Sequence, residues 1–97
     1  MTHSRFHPGQ LVATPGALKA LGDNGSLPEQ FLSRHVACDW GEVPAEDAQA
    51  NELALVEGSR LLSAYALSDG RRIWIITEAE DGSGFRRATT ILLPEEY

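Results

Sequence analysis

Between His35 and Glu57 the chain gathers side chains able to do chemistry: His35, Asp39, Trp40, Glu42, Glu46, Asp47, Asn51, Glu52 and Glu57. No lysine or arginine lies between Arg34 and Arg60, so six of the fourteen acidic residues fall in this stretch. Three chemistries suit such a set. The first is metal ligation: His35 and Asp39, and again Asp47 and Asn51, are four residues apart, the spacing that puts two ligands on one side of a helix. A single histidine at hand and the lack of an EF-hand pattern weigh against it, so no metal is expected. The second is general acid–base catalysis. His35, Glu78, Arg60 and Thr90 are the residue types a small metal-independent ribonuclease uses, with a carboxylate as base, an imidazole as acid and an arginine steadying the phosphate. The third is recognition without chemistry. An acidic helix flanked by Trp40 and Trp74 can dock a basic protein surface, or imitate the phosphate array of DNA before a DNA-binding protein. Against all three stands a plain structural role, in which Asp39, Trp40 and Asn51 organise a loop and Glu78 pairs with Arg72, Arg86 or Arg87 across strands.

The elements that must position these residues divide the chain in two. Thr14-Pro15-Gly16 reads as a helix start, with Thr14 as cap and Pro15 in the first turn, Leu18 and Leu21 on one face, and Gly22 as the stop. Ser26-Leu27-Pro28-Glu29 reads as a capping box for a second helix, reaching about Val36, with Leu27, Phe31 and Arg34 or His35 along one stripe. Pro44 opens a third helix, with Glu46 and Asp47 in its first turn and Gly58 as its stop. Three strands follow. Arg60 to Leu67 alternates Leu61, Ser63, Tyr65 and Leu67 against Leu62, Ala64 and Ala66. Ser68-Asp69-Gly70 turns the chain. Arg72 to Ala79 sets Arg72, Trp74, Ile76 and Glu78 against Ile73, Ile75 and Thr77. A tip at 80–84 leads to a last strand from about Arg87 to Leu93, closed by Pro94. Gln10 to Ala13 is a candidate edge strand. The expectation is one α+β domain over residues 1–97: two or three helices in the first half, packed on a small antiparallel meander of three to four strands.

Length and charge bound the rest. A chain of 97 residues holds one core. A net charge of −6 counts against bulk nucleic-acid binding and against an anionic membrane surface. The charge is local: residues 38–58 carry six acids and no base, while 59–97 carry six acids and five arginines. Cys38 is the only cysteine, so no internal disulfide can form, and its neighbour Asp39 disfavours a reactive thiolate. The polar segment Met1–Gln10 lacks a signal-peptide pattern, and no apolar run reaches membrane-spanning length, so a cytoplasmic protein is expected.

The segments Leu11-Val12-Ala13-Thr14-Pro15-Gly16-Ala17-Leu18, Arg34-His35 through Asp39-Trp40-Gly41, Glu46-Asp47 with Asn51-Glu52, Gly58 to Tyr65, Trp74 to Glu78, and Thr89 to Pro94 resemble one family. It consists of small bacterial plasmid-related proteins of mobile genetic elements, often labelled a methylase subunit of type I restriction. The resemblance covers nearly the whole chain and implies no established activity. The chain cannot hold a doubly wound methyltransferase domain and has no Gly-rich cofactor loop, so no cofactor is expected. It departs from the family in carrying Cys38 where glycine is usual, and in a longer loop between Glu78 and Thr89.

The resulting expectation is a non-enzymatic interaction protein of a mobile element, with its binding surface on His35, Asp39, Trp40, Asp47 and Asn51. Its partner is a protein with a basic surface. The alternative is the ribonuclease-like enzyme using His35 and Glu78. A sheet apolar on both faces needs a cover on each, which makes a homodimer possible.

Overall fold

A computed structural model of the chain describes residues 5–97; the first four residues of the polar N-terminal segment lie outside the described residues. The order is β1 (Gln10–Ala13), α1 (Pro15–Asp23), α2 (Pro28–Val36), α3 (Ala45–Glu57), β2 (Leu61–Ala66), β3 (Arg72–Thr77), β4 (Ala88–Leu92) and a short 3-10 turn, Pro94–Glu96. The α+β class and the three-helices-then-sheet order are as expected. The sheet runs β1-β4-β3-β2. The last three strands form the antiparallel meander, while β1 adds in parallel beside β4, Val12 opposite Thr90. The sheet is therefore mixed: the helical half of the chain brings β2 back in the direction of β1, and the two antiparallel steps of the meander leave β4 in that same direction.

Helix boundaries follow local chemistry. The Thr14 hydroxyl accepts from the Ala17 N–H at 3.1 Å, and Pro15 takes the first position of α1. Gly22 does not end α1. The helix runs to Asp23, and Asn24 closes it by donating from its side-chain amide to the Ala20 carbonyl at 2.8 Å. Its buried stripe is Ala17, Ala20 and Leu21, whereas Leu18 is exposed. Ser26 does not cap α2; Leu27 occupies that position, and its N–H donates to the Gln30 side chain at 2.6 Å. At the far end of α2, Cys38 adopts φ +66, a left-handed position that glycine ordinarily fills. Gly58 ends α3 at φ +84, as its residue type requires.

The strand alternation holds in burial. Leu61, Ser63 and Tyr65 of β2, Ile73, Ile75 and Thr77 of β3, and Thr89 and Ile91 of β4 face inward. Ala17, Ala20, Leu21, Tyr65, Leu67, Ile73, Ile75 and Ile91 form the main core. A second cluster of Trp40, Ala54 and Leu61 sits under α3. On the opposite face Trp74 and Ile76 are half-buried. Part of their cover comes from the chain's own C-terminal segment: the Tyr97 ring meets Trp74 edge-on at 5.7 Å, and the Arg60 guanidinium lies 5.3 Å from the centre of the same ring.

The two sheet edges are treated differently. At β2 the Leu62 N–H and C=O are both taken by the Asn51 side chain, at 3.1 and 2.7 Å. The next outward pair, on Ala64, is taken by the Trp40 carbonyl and the Glu42 N–H. Gly41 makes that approach possible. It sits at φ +72, and a Cβ there would lie 2.0 Å from the Ala64 carbonyl oxygen. Replacing Gly41 by alanine should therefore lower stability by about 2 kcal/mol or more, from the left-handed backbone and the displaced edge segment. Denaturant titration with a native-like circular dichroism spectrum as control measures it.

Candidate functional site

His35 lies on the inner face of α2 and has no solvent exposure. Its Nδ1 is 2.5 Å from the Ser63 hydroxyl of β2, and its Nε2 is 2.8 Å from the Thr77 hydroxyl of β3. Thr77 continues to the Thr89 hydroxyl of β4 at 2.6 Å, and Thr89 donates to the Pro8 carbonyl at 2.7 Å. A carbonyl can only accept, and this fixes the direction of the whole chain. Thr89 spends its proton on Pro8 and accepts from Thr77. Thr77 in turn accepts from His35, so Nε2 carries the ring proton. Nδ1 is then a bare lone pair, which the Ser63 O–H satisfies. The imidazole is neutral, and burial pushes its pKa down to about 4. Phe6 and Trp40 close the pocket, both edge-on to the ring at 5.3 and 5.7 Å.

The loop after α2 is held just as fully. The Asp39 carboxylate accepts from Arg34 Nε at 2.7 Å and from the Gly41 N–H at 3.2 Å, and the arginine beside it holds its pKa below the usual carboxylate range. The Asp39 carbonyl accepts from the Tyr65 hydroxyl at 2.6 Å. Burial pushes that phenol up to about 12. The Arg34 guanidinium covers the Tyr65 ring at 4.6 Å. Trp40 is buried, and its indole N–H donates to Glu52 at 2.9 Å. Asn51 is buried against the edge of β2, as described above.

Of the sequence-derived binding set, the structure brings His35, Asp39 and Trp40 together around one loop, and Asn51 to the sheet edge beside it. His35, Trp40 and Asn51 are buried. Asp47 stands apart and exposed in the first turn of α3. The acid–base set divides as well. Thr77, the partner of His35, faces inward, and Glu78 follows it on the strand path, exposed and on the other side of the pleat. His35 and Glu78 therefore share no cleft. Arg60 and Thr90 belong to the outer face, with Arg60 hydrogen-bonded to the Tyr97 hydroxyl and Thr90 paired to Ile76. Glu78 does not pair with arginine through its carboxylate. Arg72 pairs with Glu42 at 3.2 Å, and Arg86 reaches the Glu78 carbonyl. For metal ligation, no group of three His, Cys, Asp or Glu side chains converges among the described residues.

Arg86, expected only as one of three possible partners for the Glu78 carboxylate, has a larger role. It is 4% exposed, and its guanidinium donates to the carbonyls of Ser59, Glu78 and Ala54 at 2.7, 3.0 and 3.1 Å. A cation thus caps the C-terminal end of α3 and ties it to β3. Nothing in an exposed-looking Phe85-Arg86-Arg87 run distinguishes Arg86 from its neighbour; only the short bridge between Glu80 and Arg86 turns it inward. Comparison with protein-family models, with curated proteins and with solved structures finds no match to this chain. No helix among the described residues is long and apolar enough to cross a membrane.

The outward face of α3 is the remaining surface of note. Glu46, Gln49, Leu53 and Val56 follow one another at helical spacing, with Glu52 and Glu57 beside them. Val56 is 84% exposed and Leu53 56% exposed. None of the ion pairs among the described residues involves an acid of α3.

The buried imidazole sets a pH response. Its pKa is about 4 in the folded chain against an ordinary 6.5, so the unfolded chain binds a proton that the folded chain refuses. Stability from this group is complete above about pH 6.5 and is lost as pH falls toward 4, by about 3 kcal/mol. The His35→Gln variant keeps one donor and one acceptor. Its denaturation midpoint should be lower at pH 7 yet change far less between pH 7 and 4.

Proposed function

We propose that this chain is a non-enzymatic protein-interaction module, and that its contact surface is the outward face of α3. The observation that carries this reading is the coincidence of two strongly exposed apolar side chains, Leu53 and Val56, with acids that form no ion pair among the described residues. A basic surface with an apolar centre complements such a face: the apolar contact supplies affinity, and charge supplies orientation and rate. The surface differs from the set first read in the sequence, since His35, Trp40 and Asn51 support α3 and its loop from within, while Asp47 belongs to the rim.

The setting we propose is a mobile genetic element, on the strength of the family resemblance. The left-handed backbone at Cys38 supports it, because that is a position where the family's glycine is physically expected. A cytoplasmic location is part of the same proposal.

The test uses the chain as bait in an extract of its host, beside a Glu46→Lys/Val56→Lys variant. Both substitutions are exposed, so the variant should keep its circular dichroism spectrum and melting midpoint. Partners should be retained by the native chain, released by raised salt, and lose at least about tenfold in affinity for the variant. The same partners held equally by both proteins would contradict the assignment.

A further inference from the structure

Whereas the β2 edge is sealed, no strand among the described residues pairs with the outer edge of β1. β1 is the terminal strand of the sheet, and its pairing to β4 leaves the backbone groups of Leu11 and Ala13 pointing away from the sheet. Its sequence, Gln-Leu-Val-Ala, has none of the charges or prolines that natural edges use against pairing. Leu11 and Val12 are 55% and 43% exposed. Pro8 and Pro15 bracket the strand, so only a short pairing fits. Beside it runs an apolar hollow of about 170 Å³ between β1 and α2, lined by Leu11, Ala13, Pro28, Leu32 and Ile91, with Glu29 at its rim.

From this we infer that β1 is a homodimer interface, pairing antiparallel with β1 of a second copy about a two-fold axis at Val12. The register follows from the backbone. Leu11 and Ala13 carry the outward groups, so Leu11 pairs with Ala13 of the partner and Ala13 with Leu11, giving four hydrogen bonds. Val12 then faces its own copy as a non-hydrogen-bonded pair. In this register the partner's Leu11 stands beside Ala13, over the hollow that the small alanine leaves open, and the exchange is reciprocal. Charge agrees with it. Gln10 lies beside Arg87, whose carbonyl accepts its N–H, and Thr14 lies beside Glu96, whose carboxylate accepts its hydroxyl. An antiparallel pair sets Gln10 of one copy against Thr14 of the other, bringing a basic corner to an acidic one twice. A parallel pair would place like corners together.

The result is a continuous eight-stranded sheet, twice the four of one chain, with β2 and α3 at its two outer ends. The two β2 strands stand seven strand spacings apart, roughly 34 Å. A dimer would thus present the proposed α3 contact face twice to one partner, with the gain in avidity that follows. That consequence rests on the α3 reading; the dimer itself does not.

Sedimentation equilibrium of the full chain, from about 1 to about 500 µM, should move from 10.5 kDa toward twice that mass as association follows concentration. Leu11→Lys should raise the dissociation constant at least about tenfold with an unchanged circular dichroism spectrum, since Leu11 is half exposed. In a Cys38→Ala background, Val12→Cys should cross-link to itself under mild oxidation, while Leu53→Cys on α3 should not. A 10.5 kDa mass at every concentration overturns the proposal, including the case in which β1 receives a strand from another protein. So does a dimer that Leu11→Lys leaves intact, or Val12→Cys chains that never cross-link.

Discussion

A single carbonyl sets the polarity of the buried centre of this protein. Pro8 can only accept, and from that the donor and acceptor roles of Thr89, Thr77, His35 and Ser63 follow in order. The chain of bonds joins the segment before β1 to β4, β3, α2 and β2, so it crosses most of the fold in one line. Ser63, His35, Thr77 and Thr89 are wholly buried, so an unmade bond among them would leave a polar group without water. Such a network is stable only when complete. It also explains why an imidazole sits where an aliphatic side chain would be expected: a hydrophobe at position 35 would strand the Ser63 O–H and deprive the Thr77 oxygen of its donor, leaving Thr77 only its bond to Thr89.

From this centre the surroundings can be derived. α2 ends one residue past His35, and the left-handed Cys38 turns the chain toward Trp40, which closes the imidazole pocket and simultaneously lays residues 40–42 on the edge of β2. Asn51 completes that edge and Arg86 seals the end of α3. Of the polar residues that look catalytic in the sequence, His35 is spent on Ser63 and Thr77 and Arg60 on Tyr97, while Glu78 stands exposed on the other side of the pleat. The proposed contact surfaces are the far side of α3, acidic and partly apolar, and the outer edge of β1.

The fold class, the strand faces and the bounds of α3 were legible in the sequence because each rests on local chemistry: alternation in Ile73-Trp74-Ile75-Ile76-Thr77, a cap at Thr14, a stop at Gly58. The capping box of α2 lies one residue later than its sequence suggests: Ser26 and Glu29 have the right spacing, but Leu27 and Gln30 serve. The parallel pairing of β1 could not be read, since nothing in four residues encodes direction. His35 and Asn51 attract attention as isolated polar residues, and the pattern alone does not say that one is buried among hydroxyls and the other is spent on the Leu62 backbone. Arg86 is legible only as one of three arginines near Glu78, with nothing to mark it as the buried one. In each case the deciding contact is between residues far apart in the chain.

His35 is thus the neutral, buried pin of the scaffold that carries the two proposed contact surfaces. The protonation state of that ring is its most direct test. Two-dimensional nitrogen–proton correlation of the imidazole at pH 5.5 should show a neutral ring with the proton on Nε2 and Nδ1 bare. A ring already charged at that pH, or one carrying its proton on Nδ1, would contradict the direction of the hydrogen-bond chain and the scaffold built on it.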